Sequence, residues 1–183
     1  MASGGTDSMG PEPRVPGGRS ELELPCGRTV DADRLDLGLR ELRCECGDTH
    51  AIVMDVHPLS RWVPEDLVAV LESTVETTSG APFGTMHAMG MVMEEFPEAT
   101  TSLDVSEDGR VGAALIWATA FDARRLHEVV VELLVELMEH AVSHADSAAQ
   151  SEFEEQMLQF DVGAFVDAYR AERDFEDEFD TPA

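Results

Sequence analysis

The chain has 183 residues, with 38 Asp and Glu against 12 Arg, no Lys, no Asn and a formal net charge of −26. That charge excludes a nucleic-acid interface, because phosphate contacts need a basic face, and no apolar run approaches the roughly 20 residues of a membrane-spanning helix. The acid is spread along the whole chain and lysine, with its long apolar stem, is missing, a composition suited to the cytoplasm of a halophilic archaeon, where the Debye length falls to about 3 Å at 1 M salt.

Residues 1–20 are rich in Gly, Pro and Ser with no apolar period, and read as a disordered leader. The polar first residues carry no secretory signal. Residues 21–57 have a β pattern. Leu22 and Leu24 alternate before Pro25-Cys26-Gly27, then Leu35, Leu37 and Leu39, then Leu42, Cys44 and Cys46. After Gly47-Asp48, the run Ala51 to Val56 reads as a partner strand, giving a hairpin over Arg40 to Val56 that turns near Gly47.

Residues 58–173 carry helices around a second hairpin. Pro64 suits a first helical position, and Leu67, Val70, Leu71 and Val75 mark one face. Thr85 reads as the N-cap of a helix striped by Met86, Met89, Met93 and Phe96 and stopped by Pro97. Thr101 to Thr119 reads as a hairpin turning at Asp108-Gly109. Asp122 caps the longest helix, whose apolar face is Leu126, Val130, Leu133, Leu137 and Ala141, widened by Val129, Leu134 and Met138. Ser151 with Glu154 forms a capping box, and Asp161 starts a last helix. Residues 174–183 are an acidic tail. No internal repeat stands out.

Chemistry concentrates near the N-terminus. All three cysteines, Cys26, Cys44 and Cys46, fall within 21 residues and His50 follows closely. In a cytosolic chain three cysteines argue against a disulfide framework. Thiolates with an imidazole suit zinc in a four-ligand tetrahedral site, and a glycine after Cys26 and after Cys46 permits tight turns. The usual pair of Cys-x-x-Cys knuckles is incomplete, and three packed thiols beside an unrelated histidine is the competing reading. His57 is an alternative fourth ligand. Asp55, His57 and Arg61 form a second candidate, a small catalytic site at a strand end. His140 and His144 could hold a metal with Glu136, but Glu128, Glu132 and Glu136 make that stripe a solvated acidic face. His87 lies among Met86, Met89, Met91 and Met93, a pattern of core packing. No phosphate loop, nucleophile elbow or dinucleotide fingerprint is present.

The stretches Leu39 to His50, Met54 to Arg61, Met93 to Pro97 and Leu137 to His144 resemble an uncharacterised family of halophilic archaea, a domain of unknown function. The resemblance covers about Glu21 to Ala183 and implies provenance without an activity. The expected fold is α+β: an antiparallel sheet from two hairpins packed on a long central helix, with further helices and a small N-terminal zinc-type β module. The expected function is a cytoplasmic, non-catalytic module that binds a protein partner or regulates, stabilised by zinc. The alternative is a small enzyme using Asp55, His57 and Arg61.

Overall fold

The computed structural model describes residues 20–107, 112–144, 147, 148, 151 and 155. Residues 1–19 of the leader, the Asp108-Gly109 turn, Glu154 of the capping box, the helix after Asp161 and the acidic tail lie outside the described residues.

Two short strands, β1 (Glu21–Glu23) and β2 (Thr29–Asp31), form an antiparallel hairpin. The main sheet has four antiparallel strands in the order β3-β4-β6-β5, where β3 is Glu41–Arg43, β4 Thr49–Met54, β5 Thr100–Asp104 and β6 Leu115–Thr119. Ile52 faces Ala118 and Met54 faces Ile116 across the central pair. The helices are α1 (Glu65–Thr74), α2 (Thr85–Glu95) and α3 (Ala123–Ser143). Both hairpins and the three helices expected from the sequence are present, so the fold is α+β.

Strand alternation sends side chains to opposite faces, and here both faces are covered. Ala51, Val53 and Trp117 join the helical core with Leu67, Leu71, Met89, Leu126, Leu134 and Met138. Ile52, Met54, Ile116 and Ala118 instead meet Leu22, Leu24, Val30 and Leu35 from the first hairpin and the turn behind it. Thr101 Oγ1 donates to the Glu23 carbonyl at 2.5 Å, tying that hairpin to β5. The first hairpin is thus a lid on the back of the sheet. This explains why β4 is buried continuously from His50 to Met54, the signature of a strand covered on both sides. Each large side chain so buried contributes roughly 1.5–3 kcal/mol.

Three local expectations change. Leu35, Leu37 and Leu39 do not form a strand. Asp31 accepts from the Asp33 N–H and Asp36 from the Gly38 N–H, both at 2.9 Å, and such local bonds compete with a ladder. Leu35 is buried while Leu37 is exposed. Thr85 is the first residue of α2 and not its cap. The N-cap is Gly84, whose own N–H is accepted by His87 Nδ1 at 3.0 Å while the His87 ring stacks on Phe83. This frees Thr85 to donate to the His57 carbonyl. The buried face of α3 is centred on Val130, Leu134 and Met138, with Leu133 and Leu137 at its margin. Its expected cap holds, since the Arg125 N–H donates to Asp122 Oδ1 at 2.8 Å.

The first hairpin also repeats the second at an interval of 20 residues. Glu21, Leu22, Cys26, Gly27 and Thr29 correspond to Glu41, Leu42, Cys46, Gly47 and Thr49. The turns match bond for bond. The Leu24 N–H donates to Arg28 O at 2.7 Å as the Cys44 N–H donates to Asp48 O at 2.8 Å, and the Gly27 N–H donates to Leu24 O as the Gly47 N–H donates to Cys44 O. Gly27 and Gly47 both take positive φ, +81° and +99°, which a side chain at either position would strain. The short sequence repeat is therefore a repeat of backbone structure as well.

Candidate metal centre

The two matching turns bring four ligand atoms together. Cys26 comes from the first turn, Cys44 and Cys46 from the second, and His50 from β4. All four atoms lie within 4.8 Å of one another. Cys26 Sγ and Cys44 Sγ are 3.7 Å apart, too far for a disulfide. Two sulfurs on one tetrahedral zinc, each at about 2.3 Å, would stand about 3.8 Å apart. These residues are close enough to hold a metal ion.

Backbone and neighbours prepare the ligands. The Cys46 N–H is the strongest influence on Cys44, and with the Cys46 side chain it holds the Cys44 thiol below its ordinary pKa. The Asp48 N–H acts on Cys46 in the same direction. Cys44, burial, Cys26 and the Asp48 carboxylate oppose it and push the Cys46 thiol up to about 11. Three thiols in one place compete to ionise, a conflict that a bound cation resolves.

His50 gives the most specific indication. Its Nδ1 lies 2.8 Å from the Thr119 carbonyl. A carbonyl can only accept, so Nδ1 carries the proton and Nε2 the lone pair. Nε2 is buried without a hydrogen-bond partner. A buried acceptor left unsatisfied costs about 1–3 kcal/mol, and coordination would satisfy it. The fixed Nδ1 bond is the outer-shell anchor that metal-bound histidines usually have.

Of the second candidate, His57 and Arg61 are in contact, with Arg61 Nη1 2.6 Å from His57 Nδ1, while Asp55 is engaged elsewhere. Asp55 Oδ1 accepts the backbone N–H groups of Ala114 and Leu115 at 2.9 and 3.1 Å, bracing the end of β6. His57 has both nitrogens engaged. Nδ1 accepts from the Met54 N–H and from Arg61, and Nε2 donates to the Leu37 carbonyl. Asp55 and His57 line an open groove with Glu65, Glu72 and Phe83, whereas Arg61 lines a separate cavity. His57 is therefore a staple between segments, distant in role from the thiols. His140 on α3 and His144 just after its end are exposed, with ring centroids 4.9 Å apart.

His57 predicts a pH effect. Burial, then Arg61, holds it below its ordinary pKa, with Arg40 adding and the Leu37 carbonyl and Asp55 opposing. It therefore binds fewer protons folded than unfolded. Its contribution is intact above the unfolded pKa of about 6.5 and is lost as pH falls through the folded value. His57→Gln, which keeps an acceptor, should flatten the decline in melting temperature between about pH 7 and pH 5. An unchanged profile would show that His57 titrates alike in both states.

Sequence reasoning passed over two buried polar side chains, Arg40 and His127. Arg40 sat in a stretch read as a strand approach and His127 inside an apolar stripe, and neither position carries a local signal of burial.

Residues 22–173 match the profile of a family described as a family of unknown function, DUF5815. The chain belongs to that family. Neither the curated proteins nor the solved structures gave a match. The matched DUF5815 segment takes in Cys26, Cys44, Cys46 and His50, the four-stranded sheet and α1, α2 and α3 of this chain. No helix among the described residues is long and apolar enough to cross a membrane.

Proposed function

We propose that this protein is a non-catalytic, zinc-stabilised module of a salt-rich cytoplasm, which presents a fixed surface to a protein partner. The observation that carries the reading is the tetrad of Cys26, Cys44, Cys46 and His50, with His50 Nε2 buried and its proton fixed on the opposite nitrogen. Three sulfurs and one imidazole nitrogen are soft and borderline donors. They select zinc over magnesium or calcium, which take oxygen. Four protein ligands also close the shell, as in a structural site, whereas a catalytic zinc keeps a position for water.

The interaction half of the reading rests on His57. Leu37, Val56 and Met86 are the large hydrophobic side chains that stand exposed among the described residues. Each belongs to a segment that His57 fastens. The Leu37 carbonyl accepts from its ring, Val56 precedes it, and Met86 follows the Thr85 hydroxyl that donates to its carbonyl. A histidine bound on all sides thus holds the exposed apolar side chains in place, which suits a docking face better than a reacting centre.

Elemental analysis of the protein purified in molar KCl tests the metal directly. About one zinc per chain is expected, retained through gel filtration and released by a thiol-reactive mercurial. A chain carrying no metal after expression in zinc-supplemented medium, yet fully folded, would overturn the reading. Loss of zinc in His50→Ala but not in His57→Ala would assign the fourth ligand.

A further inference from the structure

Arginine is scarce in this chain, yet three of the seven arginines among the described residues line one groove between the two matching turns. Arg28 comes from the first turn, Arg34 from the short turn at Ala32–Arg34 and Arg43 from β3. Leu24, Val30 and Leu42 give the groove an apolar floor. Its volume is about 450 Å³, within the roughly 300–1,000 Å³ of small-molecule sites.

The lining is basic in a chain of net charge −26, with three arginines to one carboxylate, Glu45. Glu45 is spent on Arg28, whose Nη1 lies 3.2 Å from its Oε2. Arg34 and Arg43 are exposed and have no ion pair among the described residues. The carboxylates near them in the chain are turned to backbone donors. Asp31 accepts the Asp33 N–H, Asp36 the Gly38 N–H and Glu41 the Ala123 N–H. The 20-residue repeat also reverses charge here. Arg43 stands where the first hairpin has Glu23, and Arg28 where the second has Asp48.

We propose that this groove binds a small phosphate-bearing molecule, with the phosphate on Arg34 and Arg43 and its apolar remainder against Leu24, Val30 and Leu42. Two guanidinium charges without a carboxylate match a dianion. A phosphate monoester, with a second pKa of about 6, carries nearly two negative charges near neutral pH, whereas a single carboxylate carries one. Molar salt screens attraction at a distance, so contact geometry must supply the affinity, and the planar guanidinium fork meets phosphate oxygens in paired, charge-assisted bonds. The groove belongs to the hairpin backbones, and none of its arginines is a candidate metal ligand. Zinc content and phosphate binding can therefore fail separately.

Phenyl phosphate, which joins a phosphate monoester to an apolar ring, is the probe. Titrated into the full chain labelled with nitrogen-15, in molar KCl, it should shift the backbone N–H signals of Gly27, Thr29 and Arg43 saturably and leave those of α3 in place. Arg34→Gln and Arg43→Gln, both at exposed positions, should each weaken binding about tenfold, as loss of one charge-assisted contact implies. Arg125→Gln, far along the chain and paired with Glu128, should change nothing. Phthalate, an aromatic dianion of two carboxylates, should bind more weakly than the phosphate. The proposal is overturned by shifts that do not saturate, by shifts scattered over the surface, or by unchanged binding in both groove variants. Equal binding of phthalate would sink the phosphate class, and tighter binding of a single-stranded oligonucleotide would sink the small ligand. The titration of the unaltered chain decides even if a variant fails to fold.

Discussion

Cys44→Ser should strip the metal from the protein and open the back of the sheet. One lost thiolate breaks a four-ligand shell, so affinity should fall by more than the roughly 10–100-fold that loss of an outer hydrogen-bond partner costs. Metal binding to such sites is folding free energy, and the damage should follow the architecture. Cys26 alone ties the first hairpin to the centre, so β1 and β2 should loosen together with the edge strand β3. β4 should hold, because it pairs with β6 and packs on the helices through Ala51 and Val53. Hydrogen exchange should then show protection lost over residues 21–43 and kept in α1, α2 and α3. Exposure of Ile52, Met54 and Ile116 should add binding of a hydrophobic dye. Full zinc content in the variant, or equal loosening of hairpin and helices, would sink the assignment.

Raising KCl from about 0.1 to 2 M should raise the melting temperature by at least about 10 °C. The Debye length shrinks from about 10 Å at 0.1 M to about 3 Å at 1 M, which removes most repulsion among 38 carboxylates on a chain of net charge −26. For a protein of this size 1 kcal/mol shifts the midpoint by about 2–4 °C, so relief of only about 3–5 kcal/mol suffices. Ion pairs among the described residues include Arg28 with Glu45, and Arg125 with Glu128, each at 3.2 Å and at least partly exposed. Such pairs contribute little, so their screening should not offset the gain. A midpoint flat across this range would remove the case for a salt-rich home.

The elements legible in the sequence are those written locally. The run Ala51 to Met54, the period of α3 and its Asp122 cap, and the glycines of the two turns all state their structure within a few residues. The tetrad was legible for the same reason, because three of its ligands lie within seven residues. What stayed hidden is non-local. Nothing in Leu22, Leu24 or Val30 says that they roof the far side of a sheet formed with strands some 90 residues later. Likewise Asp55, His57 and Arg61 look like a catalytic trio in sequence because proximity along the chain says nothing of where each side chain is spent. Asp55 went to β6, His57 to Leu37 and Met54. The 20-residue repeat is hard to see in the sequence because it is only about nine residues long and occurs twice, whereas the backbone turn, fixed by one glycine each time, is plainly the same.

That repeat also sets an order in time. The corresponding turns are unequally equipped: where the second has Cys44 and His50, the first has Leu24 and Val30, both turned into the core. Three ligands therefore close loops of a few residues within one hairpin, and the fourth must be fetched across the 18 residues from Cys26 to Cys44. Closing the longer loop costs about 1 kcal/mol more in chain entropy, before the intervening turn at Ala32–Arg34 has formed. On the metal-bound reading proposed above, the second hairpin would capture the ion by itself as an open chelate, and the first would arrive afterwards, bringing its leucines to the sheet as it brings its sulfur to the ion. Ion capture and closure of the roof would then be successive events, and the last ligand to bind would be the one that seals the hydrophobic layer.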